Sequence, residues 1–285
     1  MMLLSCCAAL FTCLGAWAGD PKVVLVVLDG VRALEVENKA TDDDGRPVST
    51  AELLPNLTAL RKKGVFFSDF KISNPAGVSF PAYADIFAGR RQEKIIGNKT
   101  PAEDRHSHYP TIFDALFEGL HLSFNDLAIH ASWSAICELA GAADFYRSCG
   151  WKTGLGHDKY LKPEVYKDSR SDMDTFFEFA SEVPKRHPRF IFVHLVDADE
   201  EAHLQQDAQE KLGLNYGIFN YHKALTEEDY YLGRMWKLLQ DDPFYKDNTT
   251  LIVTTDHGRD NFPDGKFWNG HGECRTIHKK PELCS

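Results

Sequence analysis

The chain has 285 residues, which is enough for one sizeable α/β domain or for one such domain with a small cap. Its formal net charge of −10 argues against a general binder of nucleic acids or anionic membranes, because such proteins contact phosphates through clustered positive charge. An anionic small molecule stays open as a ligand, since a bound metal ion reverses the charge locally. We therefore expect a small-molecule partner and no specific nucleic-acid partner. The oligomeric state stays open.

Residues 1–18 are typical of a secretory signal peptide. The apolar run LLSCCAALFTCLGAWA ends in the small-x-small pattern Ala16-Trp17-Ala18, although no Lys or Arg precedes the run. The run is too short for a membrane span, so we expect no transmembrane anchor. We expect export, to the periplasm or outside the cell, and a single domain over residues 19–285. A fraying apolar N-terminus is the alternative.

The cysteines after residue 18 indicate disulfide bonds. Four of them remain in this part of the chain, and an even number in an exported protein is typical of paired cysteines. Proximity in sequence favours Cys137–Cys149 and Cys274–Cys284. Four free thiols are the alternative.

Short β-branched apolar runs alternate with helical patterns along the chain, which is typical of a parallel sheet. In chain order we predict a strand at 22–28, a helix at 54–63, a strand in VFFSDFKI at 65–72, a helix from Ser79 to Gly89, a helix at 111–120, a strand at 127–131, helices at 134–139 and 172–183, a strand at 189–196, a helix at 218–240 and a strand at 250–254. The fold class is therefore α/β, a doubly wound and mostly parallel sheet with helices on both faces. Insertions at 37–52, 98–110 and 200–217 leave a small cap open.

Acidic and histidine residues follow three of the predicted strands. Asp29 ends VVLVVL, Asp199 ends RFIFVHLVDA with His203 four residues later, and Asp256-His257 follow TLIVTT. Ligands of parallel sheets bind at the carboxyl ends of the strands, so these side chains are predicted to meet at one edge. Carboxylates and imidazoles together suit a divalent metal ion, with zinc the best match.

His271 in WNGHG follows the third strand closely and is a further candidate ligand. No strand precedes it, so an ordinary loop histidine is the alternative.

Ser79, in NPAGVSFPAYADIFAGR, is the candidate nucleophile. Gly77 and Pro81 flank it, and Pro is favoured just inside the start of a helix. Unpaired amide groups and the helix dipole favour an anion at such a position. A serine hydroxyl is a poor nucleophile at neutral pH unless a metal ion or a base activates it. On this segment alone, a simple N-cap serine is the alternative.

These motifs resemble the alkaline phosphatase superfamily, and within it the type I phosphodiesterase/nucleotide pyrophosphatase branch and related phosphatases. VLDGVR, Ser-Phe-Pro, HLVDADEEAH, TTDHG and GHG occur in the family order and span nearly all of the chain after residue 18. Each motif alone is weak, but the ordered set, with three members at strand ends, is specific. The resemblance implies a metal-dependent hydrolase of phosphoric esters.

The resemblance further implies two zinc ions that share one phosphoryl site. It assigns Asp29, Ser79, Asp256 and His257 to one ion and Asp199, His203 and His271 to the other. Within HLVDADEEAH the family spacing selects Asp199 as the ligand, with Asp197 as a solvated or supporting carboxylate.

The mechanism that the resemblance implies is a double displacement. Ser79 attacks phosphorus in line, a phosphoserine forms, and water hydrolyses it. Asn98 in IIGNK resembles the asparagine that contacts phosphate in the phosphodiesterase branch. An asparagine that merely forms a turn is the alternative for Asn98.

Three further functions stay open at this point. A phosphomonoesterase would need extra positive charge, for which Arg90, Lys99 and Arg259 are unplaced candidates, so diesters or nucleotide pyrophosphates are slightly favoured. A sulfatase fits less well, because Tyr83 stands where its arginine is expected and Gly30 where its second aspartate is expected. A non-catalytic exported binding protein on a degenerate phosphatase fold is the third, motivated by an end of the chain only fourteen residues after His271.

Overall fold

The computed structural model describes residues 20–259, apart from 69, 72, 73, 75, 142, 143, 151–168, 215 and 216. The predicted signal peptide, His271, Cys274 and Cys284 lie outside the described residues.

One five-stranded parallel sheet forms the centre of the described chain. The strands, in chain order, are β1 (Lys22–Leu28), β2 (Ala40–Thr41), β3 (Pro47–Val48), β4 (Leu127–Ala131), β5 (Tyr146–Cys149), β6 (Phe190–Leu195) and β7 (Thr249–Thr254). The parallel sheet has the order β5-β4-β6-β1-β7, and β2 pairs with β3 as a separate antiparallel hairpin.

Nine helices connect these strands within the described residues. They are α1 (Ala33–Val36), α2 (Thr50–Leu53), α3 (Pro55–Arg61), α4 (Ser79–Ala88), α5 (Ile112–Gly119), α6 (Ala135–Leu139), α7 (Asp172–Arg186), α8 (Asp197–Leu212) and α9 (Phe219–Asp241). Local sequence fixes several of the starts. Ser49 with Glu52 and Thr111 with Asp114 form capping boxes at α2 and α5, which satisfy backbone amides that the first turn leaves unpaired.

The hydrophobic core lies on both faces of the sheet, because β1 sends alternate side chains to opposite sides. Val24 and Val26 belong to the core under α7, α8 and α9, whereas Val27 belongs to the core under α4, α5 and α6. Full burial of one such side chain stabilises the fold by about 1.5–3 kcal/mol. Helices on both faces of a parallel sheet confirm the predicted doubly wound α/β fold.

A disulfide bond joins Cys137 to Cys149 and thereby ties α6 to β5. This bond is one of the two predicted from proximity. Among the described residues, no helix is both long enough and apolar enough to span a membrane.

The predicted strand in VFFSDFKI is wrong over its described part. Residues 65–68, 70 and 71 form no strand, and Val65, Phe67 and Phe70 are exposed. Both neighbours of β1 are taken by β6 and β7, so the run has no backbone partner at the centre of the sheet. Its aromatic side chains instead make local contacts, such as Phe66 against the Arg61 guanidinium.

Six elements were not predicted: the short α1, β2, β3 and α2, the strand β5 and the helix α8. The segment from 200 onwards, expected to be an insertion, belongs to α8, which extends from Asp197 to Leu212. Its sequence DADEEAHLQQDAQEKL has acidic residues in the first turn and many good helix formers, although its apolar periodicity is weak. Strand β5 is only four residues long and partly polar, so it has no clear hydrophobic pattern.

Candidate active site

The register of the sheet brings the ends of three strands together. Val27 of β1 lies beside His194 of β6 and beside Thr254 of β7. Asp29 and Asp256 therefore leave neighbouring strands at nearly the same level. Asp199 is the third residue of α8, which begins directly after β6.

The imidazole Nε2 of His257 lies at the centre of the cluster. It is 3.0 Å from Ser79 Oγ, 3.3 Å from Asp29 Oδ1, 3.4 Å from Asp256 Oδ2 and 3.8 Å from Asp199 Oδ1. All five side chains are buried. Residues from four separate parts of the sequence thus meet within 3.8 Å of this nitrogen.

These atoms suit a metal ion. The Nδ1 atom of His257 is 2.9 Å from the carbonyl oxygen of Gly258; because a carbonyl only accepts, Nδ1 carries the proton. A backbone carbonyl commonly fixes a metal-binding histidine in this way. The other ring nitrogen therefore faces carboxylate oxygens, an arrangement that calls for a cation between them. Ligand atoms of Asp29, Asp199 and His257 lie within 4.8 Å of one another, and the buried Asp256 Oδ2 has no hydrogen-bond partner among the described residues.

Two buried neighbours hold the carboxylate of Asp29. Its Oδ2 accepts hydrogen bonds from Tyr83 Oη at 3.1 Å and from His194 Nε2 at 3.1 Å. The His194 ring is oriented in turn by the amide of Trp133, which donates to Nδ1 at 3.4 Å. The second oxygen, Oδ1, is left facing Ser79 Oγ at 3.4 Å.

Charge is concentrated at this site. Burial, and then the charges of Asp256 and Asp199, raise the pKa of Asp29 well above its usual range. Burial lowers the pKa of His194 to about 3, so this imidazole is neutral at physiological pH and donates from Nε2. A bound cation would offset the crowded negative charge of these buried carboxylates.

Asp199 differs from the other carboxylates because an arginine and a histidine contact it. His203 Nε2 is 3.1 Å from its Oδ2, and the buried guanidinium of Arg259 contacts its Oδ1 and donates to its carbonyl oxygen at 3.0 Å. Burial acts to raise the pKa of Asp199, but Arg259, His203 and His257 outweigh burial and hold it well below its usual range.

Gly30 allows this close packing. Its φ of +67° lies in the left-handed region, and a Cβ atom at this position would come within 2.4 Å of Asp199 Oδ1. A second aspartate directly after Asp29, as expected of a sulfatase, would not fit here.

Ser79 is the first residue of α4, and Val78 occupies the N-cap position without a side-chain cap. The Ser79 hydroxyl is therefore directed to Asp29 and His257 rather than to its own helix. The side-chain oxygen of Asn98 accepts from the amide of Phe80 at 2.9 Å, which places Asn98 at the same helix terminus.

The structure brings most of the sequence-predicted residues together. Asp29, Ser79, Asp199, His203, Asp256 and His257 form one cluster with Asn98 beside it, and His271 lies outside the described residues. Asp197 faces away, since its Oδ2 accepts from the amide of Asp172. Its side chain is largely shielded from solvent, so the expectation of a solvated carboxylate is wrong and that of a supporting one remains.

Sequence reasoning gave no site role to Tyr83 and His194, and left Arg259 unplaced. His194 is the one histidine inside the apolar run RFIFVHLV, which is a weak signal of a buried polar contact. Tyr83 and Arg259 carried no comparable signal.

The profile of the type I phosphodiesterase/nucleotide pyrophosphatase family matches residues 23–271. The chain therefore belongs to this family of metal-dependent hydrolases of phosphoric esters. A comparison with curated protein sequences finds no match.

Several solved structures share the fold. The lipoteichoic acid synthase LtaP from Listeria monocytogenes is 14% identical in sequence, with a TM-score of 0.51, and the match covers 84% of this chain and 56% of that protein. A putative sulfatase from Bacteroides thetaiotaomicron is 12% identical with a TM-score of 0.51, covering 85% and 59%. The phosphonate monoester hydrolase of Agrobacterium radiobacter is 16% identical with a TM-score of 0.50, covering 87% and 66%.

This chain thus spans 56 to 66% of the length of these three proteins. At such identities the likeness concerns the fold alone.

Proposed function

We propose that this chain hydrolyses phosphoric esters, with Ser79 as nucleophile and two divalent metal ions, best matched by zinc. One observation carries the proposal. Ser79 is the first residue of α4, and its Oγ lies 3.0 Å from His257 Nε2 and 3.4 Å from Asp29 Oδ1, inside a buried cluster of carboxylates. A serine that served only as a cap would face its own helix instead.

The two-ion proposal divides the donor atoms between two sites. Asp29, Ser79, Asp256 and His257 would hold one ion, and Asp199 and His203, with His271 as a further ligand, would hold the other. Bound ions would act as Lewis acids that lower the pKa of the Ser79 hydroxyl and stabilise negative charge on phosphoryl oxygens.

The protein's own residues carry the remaining steps. Ser79 Oγ loses its proton to solvent and attacks phosphorus, the bond from phosphorus to the leaving group breaks, and the leaving group is expelled. Water then cleaves the phosphoserine and returns the free hydroxyl. The amide groups and the dipole at the start of α4 favour the negative phosphoryl oxygens throughout.

Asn98 is proposed to contact the substrate phosphate. Its Oδ1 holds the amide of Phe80, and its amide nitrogen stands at the same helix terminus as Ser79. An asparagine that only orders this terminus remains the alternative.

Diesters or nucleotide pyrophosphates are proposed as better substrates than monoesters, because a diester has one negative charge fewer to neutralise. Two of the three basic candidates for an additional clamp have other partners: Arg259 pairs with Asp199, and the Arg90 guanidinium lies 4.1 Å from the Tyr109 ring centroid. The third, Lys99, is exposed. We further propose export directed by residues 1–18 and one catalytic domain over 19–285.

The test is a comparison of kcat/KM for a matched aryl monoester, aryl diester, nucleotide pyrophosphate and aryl sulfate, with zinc present. We expect the diester or pyrophosphate to be the best substrate. A monoester preference above about tenfold, or about 1.4 kcal/mol, contradicts the diester preference and directs attention to Arg259. A preference for sulfate supports a sulfatase, and metal binding without any turnover supports a binding protein.

A further inference from the structure

The first turns of α7 and α8 cap each other. Asp172, the first residue of α7, accepts the amide of Val196 at 2.9 Å and the amide of Asp197 at 2.8 Å. In return Asp197, the first residue of α8, accepts the amide of Asp172 at 3.1 Å. The junction between β6 and α8 is thereby tied to α7.

A third helix completes this support. Glu228 of α9 accepts the amide of Ala198 at 2.8 Å. Three consecutive amides, those of Val196, Asp197 and Ala198, are thus bound by two fully buried carboxyl groups from elsewhere in the chain. Loss of either carboxyl group would leave a buried amide without its acceptor, which favours a shift of this turn.

The next residue after this turn is Asp199, with His203 one helical turn further on. We infer that Asp172 and Glu228 are positioning residues that fix the first turn of α8 and thereby aim Asp199 and His203 at the active site. The inference rests on the proposed role of Asp199 and His203 as metal ligands. Residues that orient ligands commonly matter about 10–100-fold for metal affinity.

The two carboxyl groups have different requirements. Asp172 accepts only, from two amides and from the Ser132 hydroxyl, so an amide NH₂ in place of one oxygen opposes these donors. Glu228 offers one oxygen, Oε1, to the amide of Ala198, whereas its Oε2 has no hydrogen-bond partner among the described residues. Burial, followed by the charge of Asp172, raises the pKa of Glu228 well above its usual range. A glutamine at 228 retains the acceptor for Ala198.

The chain supplies a matched control one residue further along α9. Asp229 caps α3, where it accepts the amides of Asn56 at 2.8 Å and Leu57 at 2.7 Å. It performs the same type of capping from the same helix, but α3 carries no residue of the site.

The experiment measures zinc affinity by chelator competition, and the visible spectrum of the cobalt form, for the wild type and four variants. Asp172→Asn and Glu228→Met are expected to lower the zinc affinity of the site proposed at Asp199 and His203 by about tenfold or more and to alter the cobalt spectrum. Glu228→Gln and Asp229→Asn are expected to keep both properties, although Asp229→Asn lowers the melting temperature.

Unchanged zinc affinity and cobalt spectrum in Asp172→Asn and Glu228→Met overturn the inference and leave the proposed function intact. If Asp172→Asn does not fold, the contrast between Glu228→Met and Glu228→Gln decides. A wild-type protein that binds no second ion overturns the two-ion proposal itself and the inference with it.

Discussion

The hydroxyl of Tyr83 donates to Asp29 Oδ2 at 3.1 Å, from a position one turn beyond Ser79 on the same helix. Helix α4 therefore carries both the proposed nucleophile and a clamp on a proposed metal ligand. A displacement of α4 would move Ser79 and Tyr83 together. Since Tyr83 holds Asp29, the position of Ser79 Oγ relative to Asp29 Oδ1 is preserved.

Tyr83→Phe is expected to lower zinc affinity by about tenfold, because Asp29 loses one of its two orienting donors. The core packing against His194 and Phe192 remains, so the melting temperature changes little. Zinc titration of the purified variant measures the effect. Tyr109→Phe, which removes a hydroxyl bound to the exposed Glu93, is the control. Equal affinities in the two variants would mean that Tyr83 only fills space.

Asp256→Asn is expected to weaken metal binding far more than Asp197→Asn. Among the described residues, Asp256 Oδ2 is buried without a hydrogen-bond partner and lies 3.4 Å from His257 Nε2, whereas Asp197 faces the amide of Asp172. Metal analysis after dialysis compares the two variants. Greater metal loss in Asp197→Asn shows that the ligand within HLVDADEEAH has been misassigned.

Arg259→Met is expected to move the acid limb of metal binding to higher pH. Arg259 is the main partner that keeps the pKa of Asp199 low against the effect of burial. Without it the pKa rises, and a ligand carboxylate must lose its proton before it binds metal, so affinity disappears at a higher pH. Zinc affinity measured from pH 7 downwards tests this. An unshifted profile contradicts the role given to Arg259, and Arg46→Met, at an exposed ion pair with Asp44, is the control.

His130 predicts how the fold responds to acid. Its ring is fully buried between Tyr146 and Phe179, and neither ring nitrogen has a hydrogen-bond partner among the described residues. Burial, with Arg170 adding to it, lowers its pKa from 6.5 to about 3. The unfolded chain therefore binds one more proton between these values, and stability falls by about 1.4 kcal/mol per pH unit as the pH drops below 6.5.

His130→Phe should remove this component of acid sensitivity. Urea unfolding of the variant and the wild type at pH 7.5, 6 and 5 measures it. The free energy difference between the two proteins is expected to grow in favour of the variant towards pH 5. A difference that is independent of pH would show that His130 does not titrate on unfolding.

Sequence alone was sufficient for four of the five strands of the parallel sheet and for most residues of the proposed site. Asp29 and Asp256 each follow a buried apolar strand, and such strands are readable because their β-branched runs are continuous. The arrangement around them was not readable. The hydrogen bonds of Tyr83 and His194 to Asp29 depend on how α4 and β6 pack, which no local pattern encodes. The apolar run at 65–72 gave a wrong strand prediction, because its residues favour a strand but propensity cannot supply a strand for them to pair with.

The most direct test of the account is the turnover of Ser79→Ala with a diester substrate at metal occupancy matched to the wild type. Six other proposed ligands remain in this variant, so metal binding should largely persist while turnover is abolished. Turnover within about tenfold of the wild type, a loss of only about 1.4 kcal/mol, would contradict the account, because Ser79 would then not be the nucleophile.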